Sequence, residues 1–132
     1  MIYLESAAIV KLVRAEAASK ELVDWLDSRV DMPLVSSALS EVEVPRALRR
    51  TAPASLPMVA STMARIYRLE IDVTVRAAAA ALYDRRLRTL DAIHLATALN
   101  AGGDIDAFVS YDVRLLGAAE RAGLPIASPG AE

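Results

Sequence analysis

Four acidic residues occupy positions from which they could do chemistry together: Glu5, Glu43, Asp91 and Asp112. Glu5 and Asp112 each follow a short apolar run, whereas Glu43 and Asp91 fall near the starts of predicted helices. Carboxylates gathered at one place repel one another unless a cation neutralises them. Oxygen ligands without His or Cys favour Mg²⁺ or Mn²⁺, ions that activate water for phosphodiester hydrolysis. The four acids therefore predict a metal-dependent hydrolase if the fold brings them together.

The composition excludes several other kinds of catalytic site. The 132 residues contain no cysteine and one histidine, His94, which rules out disulfides, thiolate nucleophiles and multi-histidine zinc sites. With 15 Lys and Arg against 17 Asp and Glu, the formal net charge is −2, so the chain lacks the basic field typical of nucleic-acid binders. Any contact with a nucleic acid would have to come from a local arrangement of charges.

His94 lies one helical turn after Asp91 and could be considered as a general base. Its neighbours Ile93 and Leu95 are apolar, which favours a structural histidine hydrogen-bonded to a neighbouring helix. A metal-activated water also removes the need for a histidine base.

Short apolar runs alternate with helical patterns along the chain. Strands are predicted at 1–4, 33–35, 69–72, 107–109 and 125–126. Helices are predicted at 6–14, 17–28, 57–67, 73–83 and 113–122, with two more capped by Ser36–Ser37 and by Thr89, the latter ending near Gly102 and Gly103. This alternation predicts an α/β fold with a mostly parallel sheet of about four to five strands and helices on both faces. Ligands of such sheets bind at the carboxyl ends of the strands.

Helical periodicity favours Glu43 over Glu41 as the site acid. At about 100° per residue, Glu43 shares a face with Leu39 and Val42, whereas Glu41 lies about 160° away from it. If Leu39 and Val42 point inward, Glu43 is half-buried and Glu41 is solvated. The placement of Asp91 is less determined, because no strand leads directly into its helix and the helix start could face either edge of the sheet.

Each acid also has a purely structural explanation. Asp91 could only offset a helix dipole, and Asp112 could be an ordinary cap or turn residue. Glu43 could be a surface residue paired with Arg46. Glu5 is the hardest to explain in this way, because a charge beside a buried strand is costly without water, a partner or a metal.

Two serines and several arginines adjoin these acids. Ser6 and Ser110 are candidates for hydrogen bonding to metal ligands. Arg46 shares a face with Glu43 and is the predicted contact to a nucleic-acid phosphate. The arginines at 85–88 are interpreted mainly as solvated surface.

Three segments resemble PIN-domain ribonucleases, most of all the VapC toxins of bacterial VapBC toxin–antitoxin pairs. They are MIYLESAAIVKL at the N-terminus, SSALSEVEVPRALRR from Ser36 to Arg50, and LRTLDAIHLATAL with FVSYDVRLLGAAERAGLPI from Leu87 to Ile126. The match spans essentially the whole chain in the right order. It implies a three-layer α/β/α fold, Mg²⁺- or Mn²⁺-dependent endoribonuclease activity on tRNA or rRNA, homodimers, and inhibition by a cognate antitoxin.

The family's acidic positions match Glu43, Asp91 and Asp112, but its first acid is normally Asp and this chain has Glu5. The family often has two small hydroxyl residues next, where this chain has Ser6 and an alanine. Glu keeps the charge but extends the carboxylate by one methylene, which could shift metal preference toward Mn²⁺ or lower activity. We expect activity to survive, because Glu is a competent oxygen ligand. The alternative is a catalytically weakened PIN domain that acts mainly by binding an antitoxin.

The chain is predicted to form a single nuclease domain over residues 1–127, followed by a frayed tail at 128–132. No targeting or membrane segment is recognisable, and the longest strictly apolar stretch, 77–83, is far shorter than the roughly 20 residues that span a bilayer. We therefore expect a soluble, cytoplasmic protein. A phosphoacceptor receiver domain also clusters acids around Mg²⁺, but it needs a lysine late in the chain, and the only lysines are Lys11 and Lys20.

Overall fold

The computed structural model describes residues 1–101 and 103–131. Gly102 and Glu132 lie outside the described residues. The predicted end of a helix near Gly102 and the last residue of the predicted tail therefore lie outside them as well. The strands are β1 (Ile2–Leu4), β2 (Leu34–Ser37), β3 (Tyr67–Leu69), β4 (Ala107–Val109) and β5 (Ile126–Ala127). The helices are α1 (Ser6–Val13), α2 (Ser19–Asp27), α3 (Ser40–Thr51), α4 (Val59–Met63), α5 (Val73–Ala81), α6 (Thr89–Leu99) and α7 (Val113–Arg121), with a 3₁₀ helix at Pro53–Met58.

The five strands form one sheet in the order β3-β2-β1-β4-β5, and every neighbouring pair is parallel. This confirms the predicted α/β class with a central parallel sheet. The strand order reverses between β1 and β4, which is the point where open parallel sheets bind ligands outside the carboxyl ends of their strands. Among the described residues, no helix has the length and apolar character needed to cross a membrane.

Side chains of the central strands alternate between two helical layers. Ile2 and Leu4 pack into a core on the side of α1, α2, α3 and α4. Tyr3 faces the opposite side, where it packs with residues of α6 and α7 and stacks on Phe108 of β4, with ring centroids 5.1 Å apart. Both faces of β1 are therefore buried, as its uninterrupted apolar run predicts.

Several element boundaries differ from the sequence prediction, including the helix predicted at 57–67, which spans only Val59–Met63 and follows a 3₁₀ helix at Pro53–Met58. Ser36 and Ser37 belong to β2 and do not cap the next helix, since Ser36 pairs with Arg68 of β3 and its hydroxyl donates to the Leu4 carbonyl. The third strand also comes earlier than predicted, at Tyr67–Leu69. The predicted capping role of Ser36 and Ser37 is wrong because both serines are buried in the paired sheet, and this pairing overrides the preference of serine for helix caps.

The inward face of α3 also differs from the prediction. Val42 is 60% exposed, and the helix buries Ser40, Val44 and Leu48 instead. The expected contrast between the two glutamates nevertheless holds: Glu43 is half-buried, whereas Glu41 is exposed.

Candidate metal centre

Glu5 links the end of β1 to the start of α1. Its backbone is extended, and its side chain caps the helix because Oε1 accepts a hydrogen bond from the Ala7 N–H at 3.2 Å. Oε2 accepts a second bond from the Ser110 hydroxyl at 3.3 Å. The residue is only 8% exposed. Burial raises the pKa of Glu5 and the charge of Glu43 adds to this, although His94 and the two hydrogen bonds act in the opposite direction.

Glu43 reaches the same region from the first turns of α3. Its Oε1 lies 2.6 Å from the Ser6 hydroxyl and 2.6 Å from Nε2 of His94. Burial alone would raise the pKa of Glu43, but the contacts with His94 and Ser6 outweigh it and hold the pKa below its ordinary value. The fold therefore keeps this carboxylate ionised.

His94 is fully buried on α6 and joins the site to the core. Its Nε2 lies 3.2 Å from the Ser6 hydroxyl as well as beside Glu43, and its Nδ1 lies 2.7 Å from the Tyr3 hydroxyl. The expectation of a buried histidine bonded to a neighbouring helix is met, but the sequence did not show that its partner is a site acid. Glu5, Glu43 and His94 together offer ligand atoms that all lie within 4.8 Å of one another.

Asp112 and Asp91 form the outer half of the acidic cluster. Asp112 caps α7, with Oδ1 accepting from the N–H groups of Arg114 at 2.8 Å and Leu115 at 3.3 Å. Asp91 lies in the first turn of α6. Burial raises the pKa of Asp91, and the charges of Asp112 and Glu43 raise it further. The start of α6 therefore faces the acidic edge, which the sequence left open.

Ser110 connects Glu5 with Asp112. Its hydroxyl donates to Oε2 of Glu5 and accepts a hydrogen bond from the backbone N–H of Asp112 at 3.1 Å. The serine is fully buried at the end of β4. One side chain thus fixes acids at the ends of two adjacent strands.

The structure places all four predicted acids at the carboxyl edge of the sheet, beside the point where the strand order reverses. This donor set fits Mg²⁺ or Mn²⁺, since it offers carboxylate oxygens at high negative charge. The raised pKa values of Glu5 and Asp91 point the same way, because a cation would relieve the burial and repulsion that cause them.

Arginines border the acids, and two of them belong to the 85–88 segment that was interpreted mainly as solvated surface. A cavity of about 280 Å³ opens between α6 and α7, lined by Arg86, Arg88, Asp91, Asp112, Val113 and Arg114. Arg46 is exposed on α3 and is not among these lining residues. Within the described part of the chain, no carboxylate lies within 4.0 Å of the Arg86, Arg88 or Arg114 guanidinium groups. Their placement depends on the approach of α7 to α6, which local sequence does not reveal.

Comparison with known proteins agrees with the architecture. Residues 2–121 match the PIN domain family. Two relatives named Ribonuclease VapC35, from Mycobacterium tuberculosis strains CDC 1551 / Oshkosh and ATCC 25618 / H37Rv, are each 51% identical over 132 residues, covering 98% of this chain and 98% of theirs. Ribonuclease VapC46 of strain ATCC 25618 / H37Rv is 41% identical over 128 residues, 97% of each chain.

A solved structure shows the same fold. The crystal structure of Mycobacterium tuberculosis VapC20, described as a sarcin–ricin loop cleaving toxin, superposes with a TM-score of 0.71 over 94% of this chain and 96% of that one, at 15% sequence identity. The family match and the full-length similarity to two differently numbered VapC proteins lead to one conclusion. The chain belongs to the PIN-domain family and, within it, to the VapC group.

Proposed function

We propose that this protein is a metal-dependent endoribonuclease and the toxin of a type II toxin–antitoxin system. The observation that carries the proposal is the arrangement of the four acids. Glu5 and Glu43 lie within ligand distance of each other, the charge of Glu43 raises the pKa of Asp91, and Asp91 and Asp112 line a cavity bordered by arginines. Membership of the VapC group and relatives named as ribonucleases support the choice of RNA.

The four carboxylates are the proposed ligands of Mg²⁺ or Mn²⁺. Such an ion lowers the pKa of water and stabilises charge on phosphoryl oxygens, which is the chemistry of phosphodiester hydrolysis. Hydrogen bonds to Oε1 of Glu43 and Oδ1 of Asp112 orient these groups. Within the described residues, Oε2 of Glu43 and Oδ2 of Asp112 accept no hydrogen bond from the protein, which leaves them available to a cation.

The arginines are the proposed contacts to the RNA backbone. Arg86, Arg88 and Arg114 are exposed, and they line the same cavity as Asp91 and Asp112. Arginine binds phosphate through a planar, multidentate group. An RNA phosphate bound by these arginines would place the adjacent phosphodiester bond near the acids. A chain of net charge −2 can therefore still bind RNA through a local cluster of positive charge.

A second candidate is the catalytically weakened PIN domain that acts mainly through an antitoxin. The observation in its favour is that both oxygens of Glu5 already accept hydrogen bonds, from Ala7 and Ser110. Each carboxylate oxygen has a second lone pair, however, so these bonds leave room for a cation. We therefore place the active ribonuclease first.

We propose that a cognate antitoxin inhibits the protein and that the protein forms a homodimer. We also propose that it acts in the cytoplasm, on a tRNA or an rRNA. Membership of the VapC group supports the antitoxin, and co-purification with the protein encoded beside this chain would test it.

RNA cleavage with purified protein tests the function. We expect cleavage in Mg²⁺ or Mn²⁺, none in EDTA, and recovery when the metal is restored. Because water is the nucleophile, the products should lack the 2′,3′-cyclic phosphate left by attack of the ribose 2′-hydroxyl. Cleavage that persists in EDTA, or products with cyclic phosphate ends, would contradict the proposal. No cleavage, with tight binding of the antitoxin, would support the weakened domain.

A further inference from the structure

We infer that His94 is a positioning residue and not a metal ligand: its Nε2–H donates to Glu43, and the Tyr3 hydroxyl holds it in that tautomer. The role of Glu43 as a site acid rests on the proposed function. The tautomer itself is a property of the protein alone and can be measured without metal or RNA.

The contacts form a continuous path from the core to the site. The Tyr3 hydroxyl lies 2.7 Å from Nδ1, and Nε2 lies 2.6 Å from Oε1 of Glu43. Tyr3 and His94 are both fully buried. Stacking on Phe108 fixes the tyrosine ring. Since His94 has no exposed surface, it cannot touch RNA directly, and its influence has to pass through Glu43.

Ser6 determines which histidine nitrogen carries the proton. The serine has one hydroxyl proton, and it donates it to Oε1 of Glu43 over 2.6 Å. Toward Nε2, which lies 3.2 Å away, the serine oxygen can then only accept. Two acceptors, the serine oxygen and the carboxylate oxygen, thus face Nε2, so this nitrogen must carry a hydrogen.

Tyr3 completes the assignment at the other nitrogen. A neutral imidazole with a proton on Nε2 has an acceptor at Nδ1, and the tyrosine hydroxyl is in place to donate to it. Each buried polar atom along this path therefore has a matching partner.

The competing arrangement uses His94 as a ligand. The nearby oxygens of Glu5 and Glu43 allow it on distance alone, since the three groups lie within 4.8 Å of one another. Ligation through Nε2 would, however, remove its hydrogen, so that the Ser6 oxygen would lose its donor and Oε1 of Glu43 would keep only the bond from Ser6. The positioning role keeps both bonds and directs the second oxygen of Glu43 toward the cation.

The chain offers a direct test because His94 is its only histidine. Long-range ¹H–¹⁵N correlation of the ¹⁵N-labelled full chain, without metal at neutral pH, reports the protonation of both ring nitrogens with no assignment step. We expect a proton on Nε2 only, unchanged when Mg²⁺ is added. A proton on Nδ1 only, or loss of the Nε2 proton on adding Mg²⁺, would overturn the inference. Protons on both nitrogens would overturn the role given to Tyr3.

Two variants separate positioning from simple packing. In His94→Gln the side-chain amide NH₂ falls near the position of Nε2, whereas in His94→Asn it falls near that of Nδ1. Among variants with matched melting temperatures, we expect the Gln variant to retain RNA cleavage about 10-fold better than the Asn variant, at a lower half-saturating Mn²⁺ concentration. Equal activities, or better rescue by Asn, would contradict the positioning role.

Tyr3→Phe tests the hydrogen bond between Tyr3 and His94, and the same ¹H–¹⁵N spectrum reports the result. Without the hydroxyl donor, the histidine should show a mixture of protonation states. A spectrum identical to that of the wild type would remove Tyr3 from the mechanism. If the wild-type tautomer is as expected but no RNA is cleaved, the proposed function fails while this inference stands.

Discussion

The hydroxyl of Ser110 donates a hydrogen bond to Oε2 of Glu5, although the two residues lie at the ends of different strands. The Ser110 hydroxyl oxygen also accepts a hydrogen bond from the backbone N–H of Asp112. Ser110→Ala should therefore loosen two proposed ligands at once and weaken metal affinity or activity by about 10- to 100-fold. The half-saturating Mn²⁺ concentration for RNA cleavage measures this effect.

A matched control is Ser61→Ala, which removes an exposed serine hydroxyl on α4 that donates to the Met58 carbonyl. It should leave the Mn²⁺ dependence unchanged. Equal Mn²⁺ curves for the two alanine variants would show that Ser110 does not orient the acids.

Glu5→Gln should stabilise the metal-free protein at neutral pH. Burial raises the pKa of Glu5 above its ordinary 4.5, so the folded chain binds this proton more tightly than the unfolded chain. The stability linked to that proton is present at low pH and is lost as the pH rises through the raised pKa. Urea unfolding should give the variant a higher free energy of unfolding than wild type at neutral pH, with a gap that narrows as the pH falls toward 4.5.

The exposed Glu120 supplies the control, because Glu120→Gln removes the same charge without burial. Added Mn²⁺ should stabilise the wild type and the Glu120 variant more than Glu5→Gln. If the Glu5→Gln variant were less stable than wild type at neutral pH, burial of the ionised Glu5 carboxylate would not destabilise the folded protein.

Glu5→Asp tests the departure from the usual family residue. Asp withdraws the carboxylate by one methylene and keeps the capacity to cap α1. We expect the wild type to cleave RNA already, and the variant to change the ratio of Mg²⁺- to Mn²⁺-supported rates, since Mg²⁺ is the more demanding of the two in geometry. Cleavage by the Asp variant alone would instead identify the wild type as the weakened form.

Arg88 and Arg46 distinguish the cavity observed in the structure from the contact predicted from sequence. Arg88→Ala should weaken RNA binding and lower the salt slope by about one, because it removes a phosphate contact. Arg46→Ala should leave the slope near that of wild type, since Arg46 does not line the cavity. Fluorescence anisotropy across a salt series measures both. If only Arg46→Ala lowered the salt slope of RNA binding, the phosphate contact would lie on α3, as predicted from the sequence.

Short apolar runs allowed the parallel sheet and its two helical layers to be predicted, because strands buried on both faces leave that pattern. The predicted boundaries of helices and strands were wrong where burial in the core overrode the local preference of a residue type. Ser36 and Ser37 lie inside β2, although serine favours helix caps. Val42 is exposed, although it is apolar, because α3 buries Ser40, Val44 and Leu48 instead.

The acids were predictable as candidates because charge beside a buried strand has few structural explanations. The sequence also indicated that strand-end acids meet at one edge of the sheet, but it left open which edge Asp91 faces, because the orientation of α6 depends on packing against β2 and α7. The same packing decides that His94 meets Glu43 and that Arg88 borders Asp91. Contacts between residues distant in the chain leave no local signal in a single sequence.

The most direct measurement of the central claim compares RNA cleavage by Asp91→Asn and Asp31→Asn at saturating Mn²⁺. Both variants lose one carboxylate charge, but Asp31 is exposed in the turn before β2, at the opposite edge of the sheet. We predict that Asp91→Asn reduces cleavage to background while Asp31→Asn cleaves like wild type, with both proteins folded. Wild-type cleavage by Asp91→Asn would contradict a catalytic centre built from the four acids.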